Sequence, residues 1–189
     1  MSKPRKIAVL VGSLREASLS RKVAQAFARL APDTLSLSIV EIGDLALYNE
    51  DIEGDVPESW RRFREEMREH DAALFVTPEY NRSVPGLLKN AIDVGSRPYG
   101  SSVWAGKPAG VVSVSPGGLG GFGANHHLRQ SLVFLDMPVM QQPEAYLGGA
   151  GGFFDAQGEV KVEGTRKFLA TIIESFAAWV ERILADPER

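Results

Sequence analysis

Five apolar runs, each followed by a stretch of helical periodicity, predict an open, doubly wound parallel α/β sheet. Two observations carry this prediction. Ile7 to Val11 and Ala72 to Val76 are apolar at every position, as parallel strands covered on both faces should be. No internal repeat divides the 189 residues, of which 44% are apolar, so one domain spanning 1–189 with a sizeable core is expected.

The first strand, Ile7 to Val11, runs into Gly12 and a hydroxyl-rich loop, after which Leu19, Val23, Phe27 and Leu30 recur at helical spacing. Leu35, Leu37 and Ile39 alternate with Ser36 and Ser38, and Val40 and Ile42 follow, which reads as a more exposed, edge strand. Gly43 to Pro57 is a loop. A helix then begins near Pro57-Glu58, burying Trp60, Phe63 and Met67 and turning its charge run to water.

The third strand, Ala72 to Thr77, precedes the loop Pro78 to Gly86 and a helix carrying Leu87, Leu88, Ala91 and Ile92. Pro108 to Ser115 is the fourth strand, followed by Pro116-Gly117-Gly118-Leu119-Gly120-Gly121 and a helix with Leu128, Leu132 and Leu135. A short fifth strand is expected near Pro138-Val139-Met140. Gly148 to Gly164 reads as a mobile glycine-rich excursion, and a last helix from Thr165 to Leu184 should bury Phe168, Ile172, Phe176, Val180 and Ile183.

Composition narrows the chemistry. Lys plus Arg number 21 against 24 Asp plus Glu, a formal charge of -3 with no basic run beyond the Lys3 to Lys6 stretch, so nucleic acid is not an expected partner. There is no cysteine, which rules out thiolate nucleophiles, dithiol relays and cysteine-bound metals; redox chemistry would have to come from a cofactor. Five apolar residues before Gly12 are too few for a signal peptide, and no run approaches membrane-spanning length. A cytoplasmic protein without a membrane partner is expected.

The loop Gly12 to Ser20 joins a strand end to a helix start. Free amides and the positive end of the helix dipole would face an anion there, with hydroxyls from Ser13, Ser18 and Ser20 and the guanidinium fork of Arg15. A solvated turn in which Ser18 or Ser20 caps the helix explains the same residues equally well. The lysine of a P-loop and the glycines of a dinucleotide fingerprint are both missing. In a doubly wound sheet, the loops after the first, third and fourth strands should converge at the carboxyl edge.

Gly12-Ser13-Leu14-Arg15 with Ser18 and Ser20, Thr77-Pro78-Glu79-Tyr80-Asn81 with Ser83 and Pro85 to Asp93, and Ala105-Gly106-Lys107-Pro108 together resemble the NADPH-dependent FMN reductase family of flavodoxin-like quinone and chromate reductases. The resemblance covers nearly the whole chain. It implies the sheet order 2-1-3-4-5, FMN as cofactor and NADPH or NADH as electron donor. Ser13, Arg15, Ser18 and Ser20 would hold the phosphate; Pro78, Glu79, Tyr80 and Asn81, with Ser115, Pro116, Gly117 and Gly118, would border the flavin ring. Many relatives carry asparagine where this chain has Ser20.

Residue chemistry agrees with that assignment. Gly117 and Gly118 permit close main-chain approach, Pro78 and Pro85 stiffen the opposite wall, and Tyr80 and Asn81 offer aromatic surface and amide groups. Glu79 is given no acid or base role, since the cofactor carries the hydride; it should contribute main-chain contacts or point outward. No catalytic side chain and no metal site are expected, because adjacent helical histidines such as His126 and His127 diverge and His70 lies elsewhere.

The resemblance also implies a homodimer or homotetramer, with Arg129 and Glu144 as candidate interface residues, and a loop at Tyr48 and Asn49 that in relatives lies near the active site across a subunit boundary. A surface ion pair and an ordinary surface loop account for these residues as well. Expected acceptors are quinones, with chromate, other metal oxyanions, azo compounds or free flavins in addition. A flavodoxin-like electron carrier is the alternative, although such carriers are usually more acidic. A phospho-acceptor domain would want acidic residues where Gly12-Ser13 stands, and no Gly-x-Ser-x-Gly elbow supports a serine hydrolase.

Overall fold

The computed structural model describes residues 3–185. Five parallel strands form one sheet in the order β2-β1-β3-β4-β5. In chain order they are β1 (Arg5–Val11), β2 (Leu35–Ile39), β3 (Ala72–Thr77), β4 (Ala109–Val114) and β5 (Ala145–Leu147). The helices are α1 (Leu19–Leu30), α2 (Glu58–Arg68), α3 (Gly86–Gly95), α4 (Phe122–Phe134) and α5 (Glu163–Leu184).

Strand burial explains the two kinds of sequence pattern. Every residue of β3 and β4 is buried, because neighbours cover both faces and both edges. β2 lies at an edge and alternates in and out of solvent, as its Leu-Ser-Leu-Ser-Ile sequence requires. Two cores result. On one face Phe27 of α1 and Leu169, Ile172 and Phe176 of α5 cover the sheet. On the other, Trp60 and Phe63 of α2, Leu88 and Ile92 of α3 and Leu128 and Leu132 of α4 do so, around the fully buried Trp104.

Three expectations are corrected. The fifth strand is Ala145–Leu147, paired with Val112 to Val114, rather than Pro138 to Met140. Val139 makes only a single bridge to Ala109 before the chain leaves the sheet. Three residues at an edge are too short to display alternation, so the sequence does not separate Ala145–Leu147 from the equally short Pro138-Val139-Met140. β2 stops at Ile39, and Val40 and Ile42 turn into the core on the α2 side.

The last helix starts at Glu163, two residues before the expected Thr165, and its buried stripe is offset from the expected one. Phe168 is exposed and Ile183 only partly buried, while Leu169 and Ile173 join Ile172, Phe176 and Val180 inside. The glycine-rich stretch before it is anchored by Phe154, which is buried against this core and bridges to Val160. Among the described residues, no helix is long and apolar enough to cross a membrane.

Candidate functional site at the carboxyl edge of the sheet

Strand order reverses between β1 and β3, so the loops that leave their carboxyl ends diverge and open a crevice. The chain holds the two loops close at their roots. Gly12 N donates to Val76 O at 3.0 Å, and a Cβ on Gly12 would stand 3.0 Å from Pro78 Cδ. A side chain on Gly12 would therefore crowd Pro78 where the two loops leave the sheet.

A cleft of about 230 Å3 lies here, and its lining contains nine of the twelve residues named from sequence: Ser13, Arg15, Ser18, Ser20, Pro78, Glu79, Tyr80, Ser115 and Pro116. Leu19 and Val114 complete it; both sit beside the named residues, and only their apolar character hid them. An adjoining hollow of about 380 Å3 shares Ser13, Arg15 and Tyr80 and adds Gly12, Leu14, Pro85, Gly86 and Leu87. The three loops do converge.

One end of the cleft gathers hydrogen-bond donors. Ser18 is the N-cap of α1, its side chain accepting the Arg21 amide at 3.1 Å, so the capping residue is also a residue of the cleft lining. The first-turn amides of Leu19 and Ser20 find no acceptor among the described residues, as helix geometry dictates. Ser13 and Ser20 are buried beside them. Arg15 is exposed and forms no ion pair among the described residues, leaving its guanidinium free. Free amides, hydroxyls and an uncommitted arginine at a helix N-terminus match the donor set of a terminal phosphate.

The other end is made from two turns. Tyr80 and Ser83 exchange main-chain bonds at 3.1 and 3.0 Å, and Asn81 and Arg82 between them both have positive φ, at 51° and 65°. Asn81 thus serves the turn and does not line the cleft. Across the cleft, Gly117 N donates to Ser115 Oγ at 3.1 Å, and Gly117 and Gly118 are exposed just beyond the lining. Gly148 packs against them: a Cβ there would come within 2.6 Å of Gly118 O.

The Glu79 side chain does not point outward. It is 12% exposed, and Oε2 accepts the Ala124 amide of α4 at 3.0 Å. No sequence signal marks this, because the partners are 45 positions apart.

The remaining candidates lie elsewhere. Tyr48 stacks on Trp60 with centroids 5.6 Å apart, and Asn49 caps a short 3-10 turn; neither lines the cleft. His127 Nδ1 meets Ser83 Oγ at 2.9 Å, whereas His126 Nε2 meets the Tyr146 hydroxyl at 2.9 Å. Arg129 donates within its own chain, to Asn125 Oδ1 at 2.8 Å and Met140 O at 2.9 Å. Burial pulls its pKa down against the opposing pull of Tyr146 and Glu144. Burial also raises the Tyr146 phenol, assisted by a hydrogen bond with Glu144.

Known proteins resemble this chain in sequence and fold. The chain is 65% identical to a quinone reductase of Pseudomonas putida over 182 residues, covering 96% of this chain and 97% of that protein. It is 47% identical to a 2-hydroxy-1,4-benzoquinone reductase of a Burkholderia species over 175 residues, 93% and 96% of the two chains. The solved structure of a flavoenzyme NAD(P)H:(acceptor) oxidoreductase from Paracoccus denitrificans superposes with a TM-score of 0.89 at 42% identity, covering 94% of this chain and 98% of that one. A family model described as NADPH-dependent FMN reductase matches residues 5–152, a span that holds all five strands and all three converging loops. The chain belongs to that family and is an FMN-dependent NAD(P)H oxidoreductase.

Proposed function

We propose that this protein passes electrons from NAD(P)H to quinones through FMN held in the carboxyl-edge cleft. The observation that carries the assignment is the donor set at one end of that cleft: first-turn amides of α1 and an arginine that find no acceptor or carboxylate partner among the described residues, with buried serine hydroxyls beside them. In this reading Ser13, Arg15, Ser18 and Ser20 hold the phosphate. Pro78 to Asn81 and Ser115 to Gly118 flank the ring, with Asn81 acting through the shape of its turn.

Bound FMN supplies the hydride acceptance and donation. The chain's own work is to fix the phosphate, align the ring and leave one side open to donor and acceptor in turn. No side chain is assigned as a proton carrier. The quinone assignment draws on the relatives named as quinone reductases. Chromate, other metal oxyanions, azo compounds and free flavins are further acceptors in the same reading.

The reading also includes one domain over 1–189, a cytoplasmic location where NAD(P)H is available, and a homodimer or homotetramer. Exposed Val133 and Phe134 on the outer side of α4 favour a covered face, and Glu144 remains an interface candidate. Arg129, already engaged inside the subunit, would reach a partner only with its remaining donors.

The test is spectroscopic and kinetic. The purified protein should bind FMN, lose the oxidised flavin bands when NADPH is added without oxygen, and consume NAD(P)H steadily when a benzoquinone is present. Bound flavin with no turnover above background would instead identify an electron carrier, and a colourless protein that takes up no FMN would overturn the assignment.

A further inference from the structure

Helix α4 begins without a cap of its own. Gly121 stands at the N-cap position with φ of 76° and supplies no side-chain acceptor. First-turn amides of a helix have no intrahelical partner, and the positive end of the helix favours a carboxylate. Glu79 fills that place from another loop, its Oε2 lying 3.0 Å from Ala124 N. The Cβ of Glu79 is also within 3.6 Å of where a Cβ on Gly121 would be, so the two loops touch at their bases as well as through the carboxylate.

Gly123 makes room for this contact. A Cβ there would sit 2.9 Å from Glu79 Oε2 and 2.8 Å from the Arg82 carbonyl oxygen. The second clash is with backbone, so relief would require the whole Tyr80–Ser83 turn to move. On the outside, Arg82 reaches Glu79 Oε1 at 3.3 Å, but its side chain is 73% exposed and adds little.

The two loops joined in this way are the ones that flank the cleft: Pro78 to Ser83 on one side, and Ser115 to Gly121, which runs straight into α4, on the other. We propose that Glu79 is a positioning residue that spans the two ring-flanking loops and fixes their separation, through its bond to the Ala124 amide. This inference rests on the FMN reading above. Glu79 also lines the cleft, so the strut stands beside the ring site and not behind it.

Three variants test the strut. Glu79→Ala removes the acceptor, Glu79→Gln keeps one amide oxygen for the Ala124 amide, and Gly123→Ala pushes the same contact from the opposite side. For each, FMN affinity, the visible circular dichroism of bound FMN and the melting temperature without FMN would be measured. Glu79→Ala should weaken FMN by roughly tenfold and alter the visible dichroism, which reports the asymmetry of the ring's surroundings.

Gly123→Ala should reproduce both changes even though alanine favours a helix over glycine. Glu79→Gln should restore affinity to within about threefold. A strut of merely structural importance would lower the melting temperature and leave affinity and dichroism untouched, and that result overturns the proposal. So does a Glu79→Gln protein no better than Glu79→Ala. Failure of the unaltered protein to bind FMN would fall first on the cofactor reading, before any variant is compared, and would take this inference with it. If Glu79→Ala does not fold, Gly123→Ala and Glu79→Gln still decide the matter.

Discussion

The main-chain amide of Tyr48 donates to Asn90 Oδ1 across 2.8 Å, and Asn90 Nδ2 returns a bond to the Ala46 carbonyl at 3.1 Å. One buried amide on α3 thereby holds the loop that follows β2, at the two residues on either side of Leu47. Trp60 secures the same loop from α2, its indole donating to Ala46 O at 2.8 Å while its ring stacks under Tyr48.

Asn90→Ala should destabilise the protein by about 1–3 kcal/mol, because it strips the Tyr48 amide of its acceptor and leaves the Ala46 carbonyl with the Trp60 indole alone. Urea unfolding measures this. Hydrogen exchange should show the 45–49 backbone opening first, and a loss confined to α3 would contradict the linkage.

Arg15→Ala should weaken FMN binding by roughly one to two orders of magnitude, since a hydrogen bond to a charged group contributes about 1.5–3 kcal/mol. Arg15 is exposed and makes no ion pair among the described residues, so the melting temperature of the flavin-free protein should hardly change. An unchanged FMN dissociation constant would remove Arg15 from the phosphate site.

Gly95→Ala should cost about 1–3 kcal/mol by overpacking. The added Cβ would lie 2.6 Å from Trp104 Nε1 and 2.7 Å from two ring carbons, and the indole is fixed by a 2.9 Å bond to Ile92 O. Trp104 fluorescence and the melting temperature would report it together; a variant as stable as the parent would mean that the indole can shift.

Glu181 pairs with Arg5 at 2.8 Å, and the Arg5 hydrogen bond pulls its carboxyl below the ordinary carboxylate range. A carboxyl depressed by folding adds stability above its unfolded pKa, and that contribution disappears as pH falls through the folded value. Both side chains are more than a third exposed, so solvent screening limits the pair to no more than about 0.5 kcal/mol. Glu181→Gln should therefore be slightly less stable at neutral pH, and the gap should close in acid. A gap that persisted in acid strong enough to protonate the carboxyl in the folded protein would assign it to packing rather than charge.

Much of the fold was legible because its signals are local. Continuous apolar runs marked β1, β3 and β4, the Leu-Ser-Leu-Ser-Ile alternation marked an edge, and the residues lining the cleft cluster at three strand ends whose positions follow from the α/β order. The sequence by itself determined that architecture and most of the candidate site, since burial on both faces and loop chemistry are written in neighbouring residues.

Only the tertiary structure decided what depends on distant partners. β5 is set by its pairing with β4 and by the detour through the Val139 bridge, not by any periodicity of its own three residues. Ser18 proved to cap its helix while lining the cleft, and Asn81 to serve a left-handed turn. The Glu79 carboxylate meets the Ala124 amide across 45 positions of chain, a contact created by the convergence of two loops and invisible until the sheet brings them together.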